Sequence, residues 1–349
     1  MKIAVLCGGL SPERNVSISS GTKIAGALQE SGHQVVLLDM FFGLEDYTGD
    51  IATIFDNPPA LGGTHIDESA PDLESVRAQR KLRSPSLFGE HVLEVCAMAD
   101  IVFLALHGRT GEDGRVQATL DLLGIPYTGA GYLSSAIAMD KDLTKRLVSE
   151  YVITPQWRTV RYTEGDIARL VSETKLPCVV KPVANGSSVG VSIAHTGAEL
   201  KTALEVCLQF GAQVVLEQYI SGREIQVGII AGKALPSIEI IPKTGFYDYA
   251  NKYQAGAAEE ICPSPIPEDW EMRVRTATET VYRLIGLSVY SRADFIVTPD
   301  GTPYFLEINT LPGMTKTSLL PQEAVYKRQG YEELCEKIVE ESMKQRRGL

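Results

Sequence analysis

None of the six cysteines in this 349-residue chain forms a CxxC pair, so the spacing of a zinc site and the framework of a disulfide-stapled domain are both missing. Cys7, Cys96, Cys178, Cys207, Cys262 and Cys335 are scattered, several inside apolar runs, and are expected to be free buried thiols in a reducing compartment. No apolar run approaches the roughly 20 residues that span a bilayer. The opening MKIAVLCGG lacks the longer apolar run and cleavage site of a signal peptide, so a cytoplasmic chain without membrane contact is expected. Basic charge is also in short supply, with 33 Lys and Arg against 44 Asp and Glu, a formal charge of −11. That balance excludes a general nucleic-acid binder, which needs a basic face, but leaves room for an anionic small molecule in a local basic pocket. The first strand is followed by GGLSPERNVS rather than GxGxxG, so a dinucleotide fingerprint is absent. Repeats and low-complexity tracts are absent as well.

The rest of the composition is that of a globular protein, 44% hydrophobic and 22% charged, and the length suggests two or three domains. The first third reads as α/β. KIAVLC, QVVLLDM and ADIVFLALHG are apolar strands, and the segments between the first two and after the third read as turns entering helices. Residues 41 to about 90, with Pro58-Pro59, Gly62-Gly63 and the basic RAQRKLRSPS, read as a loop-rich insertion with short helices. Strands alternating with helices imply a parallel sheet that binds ligands at its strands' carboxyl ends. A boundary falls near IPYTGAGYLS. Beyond it come a helical SSAIAMDKDLTKRLVSE and then CVVKPVANGSSVGVSIA, two strands around a Gly/Ser loop. From QVVLEQYISGREIQV onward the pattern is antiparallel, with a long amphipathic helix WEMRVRTATETVYRLIG and a charged C-terminal helix from about Tyr331 to Arg346. Three α/β modules result.

Chemistry concentrates at a hairpin, SRADFIV and PYFLEINTLPGMT, joined by the turn residues Pro299-Asp300-Gly301. Residues two apart on a strand share a face, so Arg292 projects with Asp294 and Glu307 with Asn309. If the faces coincide, two carboxylates and an amide converge beside a guanidinium, and hard oxygen ligands of this kind suit Mg²⁺ or Mn²⁺ when phosphates complete the shell. The alternative is an Asp–Arg surface pair and an exposed glutamate; the apolar strands argue for burial and hence for a partner. Lys181 precedes the Gly/Ser loop ANGSSVG, which can offer backbone N–H groups and hydroxyls to phosphate, though a plain hairpin loop is the simpler reading. Glu217 and Glu224 flank a break and are either solvated or placed for adenine and ribose. Glu13 and His107 stand at strand ends, where a ligand of the sheet would bind; helix-dipole and structural roles are the alternatives. GFYDYANKYQAGAAEE, with Lys252 and Tyr253, has the composition of a mobile lid.

Taken in order, GGLSPERNVS, LHGRTGEDGRVQ, YTGAG, MDKDLTK, KPVANGSSVGVS, EQYISGREIQV, FYDYANKY, SRADF and EINTLPGMTKTSLLP resemble the D-alanine–D-alanine ligases of the ATP-grasp superfamily from Lys2 to about Pro321, apart from the insertion. The resemblance implies a three-domain ATP-grasp architecture: a Rossmann-like N-terminal domain over 1–129 with a parallel sheet, and two α+β lobes, 130–216 and 217–349, sandwiching ATP. It implies that Lys141, Lys181 and Lys252 touch ATP phosphates with Ser188 in the same loop, that Glu217 and Glu224 bind adenine and ribose, and that Gln218 and Ile220 line the adenine pocket. Asp294, Glu307 and Asn309 are implied to hold two Mg²⁺ or Mn²⁺ ions. Glu13 is implied to anchor the first D-alanine's ammonium, with Ser187 tying it to Tyr253, and His107 to lie near the second substrate. Arg292 and the Gly313 N–H are implied to form the oxyanion hole, and Ser318 and Leu319 to hold the second substrate's carboxylate. Tyr253 goes with D-alanine rather than D-lactate as second substrate; D-serine stays open, as does a different ATP-grasp ligase, and a homodimer is the family habit. Departures are Asn185 where the family commonly has Glu, Thr317 in place of a histidine, and an Ala-rich stretch after Tyr253.

Overall fold

The computed structural model describes residues 1–60, 71–184, 186, 188–243, 245 and 256–346. The chain begins with β1 (Lys2–Cys7), α1 (Arg14–Glu30), β2 (Gln34–Asp39), α2 (Leu73–Gln79), α3 (Val92–Met98) and β3 (Ile101–Leu104). The strands form a parallel sheet in the order β2-β1-β3. A parallel sheet is covered on both faces, which is why Ile3 to Leu6 and Ile101 to Leu104 are buried apolar runs rather than alternating ones. Helix α1 lies so close to β1 that a Cβ on Gly21 would come within 2.6 Å of the Cys7 Cβ. All six cysteines are free thiols.

The basic stretch of the insertion has an internal use. Arg80 is buried, donates to the Ser86 and Phe88 carbonyls at 2.6 and 2.7 Å, and stacks its guanidinium over Phe41. Gly62 and Gly63 lie outside the described residues.

Helices α4 (Arg109–Glu112), α5 (Arg115–Leu122), α6 (Tyr132–Met139) and α7 (Lys141–Val148) follow. The sequence predicts one continuous helix through MDKDLTK, but the chain breaks at Asp140. Its extended backbone lets the side chain accept from the Asp142 and Leu143 N–H groups, an N-cap that starts α7 anew with Lys141 as its first residue. Next come β4 (Trp157–Arg161), α8 (Ile167–Glu173), β5 (Cys178–Pro182), β6 (Ser192–Ala194), α9 (Gly197–Leu208) and β7 (Gln213–Gln218), with an antiparallel sheet ordered β4-β7-β5-β6. Then β8 (Arg223–Ile230), β9 (Lys233–Ala234), β10 (Ile238–Pro242), β11 (Ala258–Ile261), α10 (Glu268–Ile285), β12 (Tyr290–Val297) and β13 (Pro303–Asn309) build a second antiparallel sheet, β11-β10-β8-β12-β13, with β9 on β8. The break at Gln218–Arg223 thus moves the chain from one sheet to the other.

Helices α11 (Leu319–Tyr326) and α12 (Tyr331–Arg346) close the chain. Leu334, Ile338 and Val339 of α12 belong to the core of the N-terminal sheet, while Ala130, Ala138, Val148 and Val152 join the core under the larger antiparallel sheet. Both ends of the chain are therefore tied to the same core. No helix among the described residues is long and apolar enough to cross a membrane.

Candidate active site

The hairpin of β12 and β13 brings the predicted side chains onto one face. Register pairs Arg292 with Asn309 and Asp294 with Glu307, two rungs of one face separated by the Ala293–Ile308 pair, before the ladder shifts between Asp294 and Phe295. Arg292 holds Asp294 with two parallel bonds, Nε to Oδ1 at 2.9 Å and Nη2 to Oδ2 at 3.0 Å, and the Asn309 amide donates to Oδ2 at 3.3 Å. Asp294 is buried and Glu307 half-buried, so these carboxylates require partners.

The partner of Glu307 is Lys141 Nζ, 3.1 Å from Oε2, which the Asp140 cap delivers at the start of α7. Lys181, at the end of β5, lies 3.0 Å from Glu217 Oε2, and the buried Lys145 lies 3.4 Å from Oε1 of the same carboxylate. Lys145 Nζ and Glu217 Oε2 nevertheless make no aligned hydrogen bond, so buried charge here is matched by proximity rather than by geometry. Burial pulls the Lys145 ammonium down to about 8 against the opposing pull of Glu217. Lys141, Lys181, Glu217 and Glu307 line one cleft together with Ser188, Gln218, Ile220, Glu224 and Asp294, walled by Val179, Ile193, Ile296 and Leu306. An apolar slot rimmed by lysines and carboxylates suits a planar base at one end and a polyanion at the other.

A second group adjoins it. The space lined by Lys141, Glu307 and Asn309 extends to Gly186 and Glu112. Glu13 is buried at the start of α1, and its Oε2 crowds both Gly108 and Gly186: a Cβ on either would sit 2.7 or 2.8 Å away. His107, also buried, engages the Leu311 carbonyl through Nδ1 at 2.9 Å and the Ser20 hydroxyl through Nε2 at 3.2 Å. Burial lowers its pKa despite the Glu13 charge, which favours neutral imidazole with the proton on Nδ1. Glu112 accepts from the Gly108 N–H at 2.9 Å and the Leu311 N–H at 3.3 Å. Burial first, then Glu13, push its carboxyl up to about 8. Both backbone polar groups of Leu311 are thus held by the 107–112 segment, two residues before Gly313. Gly313 in turn touches the end of the loop, since a Cβ there would lie 2.9 Å from Ser318 Oγ, and Leu319 is buried against Ile238 and Ile240.

The structure thus gathers Lys141, Lys181, Ser188, Glu217, Gln218, Ile220, Glu224, Asp294 and Glu307 in one cleft. Arg292 and Asn309 stand on the hairpin beside it, with Glu13, His107, Gly313, Ser318 and Leu319 in the adjoining loops. Ser187, Lys252 and Tyr253, and with them the Ser187 bridge and the lid, lie outside the described residues, as does Asn185. Sequence reasoning passed over Lys145 and Glu112. Lys145 is one helical turn after Lys141 and so shares its face, a signal that was available. Glu112 reads as a loop residue, and only the fold buries it.

A parallel-sheet domain ahead of two antiparallel α+β lobes, with a lysine-rimmed cleft between the lobes, is the ATP-grasp architecture. Sequence profiles described as D-ala D-ala ligase N-terminus and D-ala D-ala ligase C-terminus match residues 2–130 and 147–340. The chain belongs to the D-alanine–D-alanine ligase family. It is 40% identical over 342 residues to the D-alanine–D-alanine ligase of Pediococcus pentosaceus, covering 97% of each chain. Its fold is similar to that of the Bacillus anthracis D-alanine–D-alanine ligase complexed with ATP (TM-score 0.73, 33% identity, 100% and 98% coverage). It is also similar to the VanG D-Ala:D-Ser ligase of Enterococcus faecalis (TM-score 0.75, 27% identity, 98% and 99% coverage).

Proposed function

We propose that this protein joins two D-alanine molecules at the expense of ATP, through an acyl phosphate, to supply a precursor of peptidoglycan. The observation that carries this reading is the pair of same-face rungs Arg292–Asn309 and Asp294–Glu307, the second lining the cleft that also holds Lys141 and Lys181 and the first beside it. We assign residues 1–129 to the substrate domain and the rest to two nucleotide lobes, in a homodimer; because β7 runs to Gln218 in the first lobe's sheet, the boundary expected between 216 and 217 moves to the Gln218–Arg223 break, and the matched profile segments support a first boundary near 130.

A carboxylate acylates poorly because oxide would have to leave, so its oxygen is first phosphorylated. Val179, Ile193 and Ile296 give the adenine an apolar bed, with Gln218 and Ile220 at its edge, Glu217 for its amino group and Glu224 within reach of the ribose. Lys141 and Lys181, with Ser188 in the same cleft, neutralise the phosphates, a role the resemblance also gives to Lys252. The donor set Asp294, Glu307 and Asn309 fits Mg²⁺ or Mn²⁺: two carboxylates and one amide oxygen, all hard, with no sulfur or imidazole, on two rigid strands. When bound, such ions shield the phosphoryl charge and orient it. Glu13 holds the ammonium of the first D-alanine and presents its carboxylate to the terminal phosphate, while neutral His107 lines the second substrate's approach. Ser318 and Leu319 receive the carboxylate of the second D-alanine. Its free amine attacks the acyl carbon, and the tetrahedral oxyanion collects the Arg292 guanidinium and the Gly313 N–H, worth about 3–4 kcal/mol per donor; its collapse breaks the acyl C–O bond, phosphate leaves and the new amide nitrogen sheds a proton. Ser187 and Tyr253 close the site so that water does not intercept the acyl phosphate.

Phosphate release from ATP and Mg²⁺, without D-alanine, with it, and with D-alanine in competition with D-serine or D-lactate, combined with mass analysis of the product, tests the proposal. D-alanine-dependent phosphate with one dipeptide per phosphate is expected; a product carrying D-serine or D-lactate in preference to D-alanine would overturn the substrate assignment.

A further inference from the structure

One fully buried carboxyl takes no part in the chemistry above. Glu323, on α11, has no exposed surface, and its two oxygens lie 3.0 and 2.9 Å from the Gly228 N–H. Gly228 belongs to β8 at the point where pairing with β10 has ended, its last rung being Ile238–Gln226. The Gly228 carbonyl still accepts from the Leu235 N–H at 2.8 Å, but the N–H on the same edge meets no strand among the described residues and finds Glu323 instead. The fit is close: a Cβ at position 228 would stand 2.2 Å from Glu323 Oε2 and 2.4 Å from Leu320 Cδ1.

What makes this contact more than a satisfied donor is its position. Gly228 is the cross-strand partner of Arg292, and Arg292 is the partner of Asn309. Glu323 lies one turn beyond Ser318, the N-cap residue of α11, whose hydroxyl receives the Thr315 N–H at 3.0 Å and closes the loop back towards Gly313. The segment from Gly313 to Leu319 therefore hangs between the end of β13 and the docking of α11. Leu319 supplies an apolar contact on Ile238 and Ile240; Glu323 supplies the polar one, on the rung that carries Arg292.

We infer that Glu323 is a positioning residue for the acceptor half of the site, pinning the Ser318–Leu319 segment at a fixed height over Arg292 through Gly228. The inference rests on the ligase reading above. Burial raises the Glu323 carboxyl well above its ordinary value, with Glu271 and Asp294 adding to the rise and the Gly228 N–H and Arg292 opposing it. A neutral side chain of the same shape therefore keeps the pin.

Initial rates of wild type, Glu323→Gln, Glu323→Ala and Glu323→Asp, resolved into constants for ATP and for the first and second D-alanine, test this. Removing the contact (Ala) or shortening its reach (Asp) should raise the second-site KM about tenfold and leave the ATP and first-site constants within about twofold, while Gln stays within about twofold of wild type throughout. Asp carries the test if Ala does not fold. A second-site KM unchanged in both Ala and Asp, all three constants moving together, or a Gln variant as impaired as Ala overturns the inference. Absence of dipeptide from wild type overturns the ligase reading instead.

Discussion

Arg292 shows how far a single side chain can be read. Its sequence spacing from Asp294 predicts a shared face, and the structure adds a two-bond grip that fixes the guanidinium's plane. As the proposed oxyanion donor it would act only once the tetrahedral centre forms, so Arg292→Ala should lower kcat about 10²–10³-fold with little change in the ATP KM. Steady-state kinetics check this; a change confined to the ATP KM would contradict the assignment. Glu112 illustrates the opposite case, since nothing in GRTGEDG announces a buried carboxyl. Its pKa is higher in the folded chain than in the unfolded one, so the folded state holds the extra proton. The stability this contributes is complete below the carboxyl's ordinary range and is lost as pH rises towards about 8. Glu112→Gln should be less stable overall, having one acceptor fewer, yet its melting temperature should fall less between pH 5 and pH 8 than that of wild type. An unchanged slope would show that Glu112 titrates normally.

At the scale of elements, the strands and the long helix were legible because their periodicity is strong: α10 and the β12–β13 hairpin lie where the pattern predicts. The break at Asp140 was not, because an acidic residue inside a helical run looks like one more surface charge. Its capping role depends on an extended backbone that no propensity forces. The cap has a functional consequence, since it sets the direction in which α7 carries Lys141 and Lys145. Asp140→Ala should cost about 1 kcal/mol in urea unfolding and weaken ATP binding more than D-alanine binding. Equal effects on both substrates would detach the cap from the phosphate site. The assignment of strands to sheets was likewise hidden. QVVLEQYISGREIQV reads as one antiparallel run, yet Glu217 and Glu224 end in different sheets on either side of the cleft, because the contacts that separate them are distant in sequence.

Across the whole molecule, a chain of formal charge −11 places Lys141 and Lys181 in one cleft, with the buried Lys145 next to them, and holds all three on Glu217 and Glu307. In the proposed reaction ATP entering the cleft would exchange these internal pairs for phosphate. The return of α12 to the N-terminal core was invisible in a linear reading, and it ties the last helix to the unit that holds Glu13 and His107. Leu334→Ala, emptying a fully buried site in that core, should lower stability by about 2–5 kcal/mol in denaturant unfolding. A loss below about 1 kcal/mol would mean that α12 docks independently of the core. The most direct test of the account follows a single atom. With D-alanine labelled by ¹⁸O in its carboxylate, activation through an acyl phosphate must deliver one labelled oxygen to the released phosphate for each dipeptide formed. Unlabelled phosphate accompanying dipeptide would contradict the mechanism.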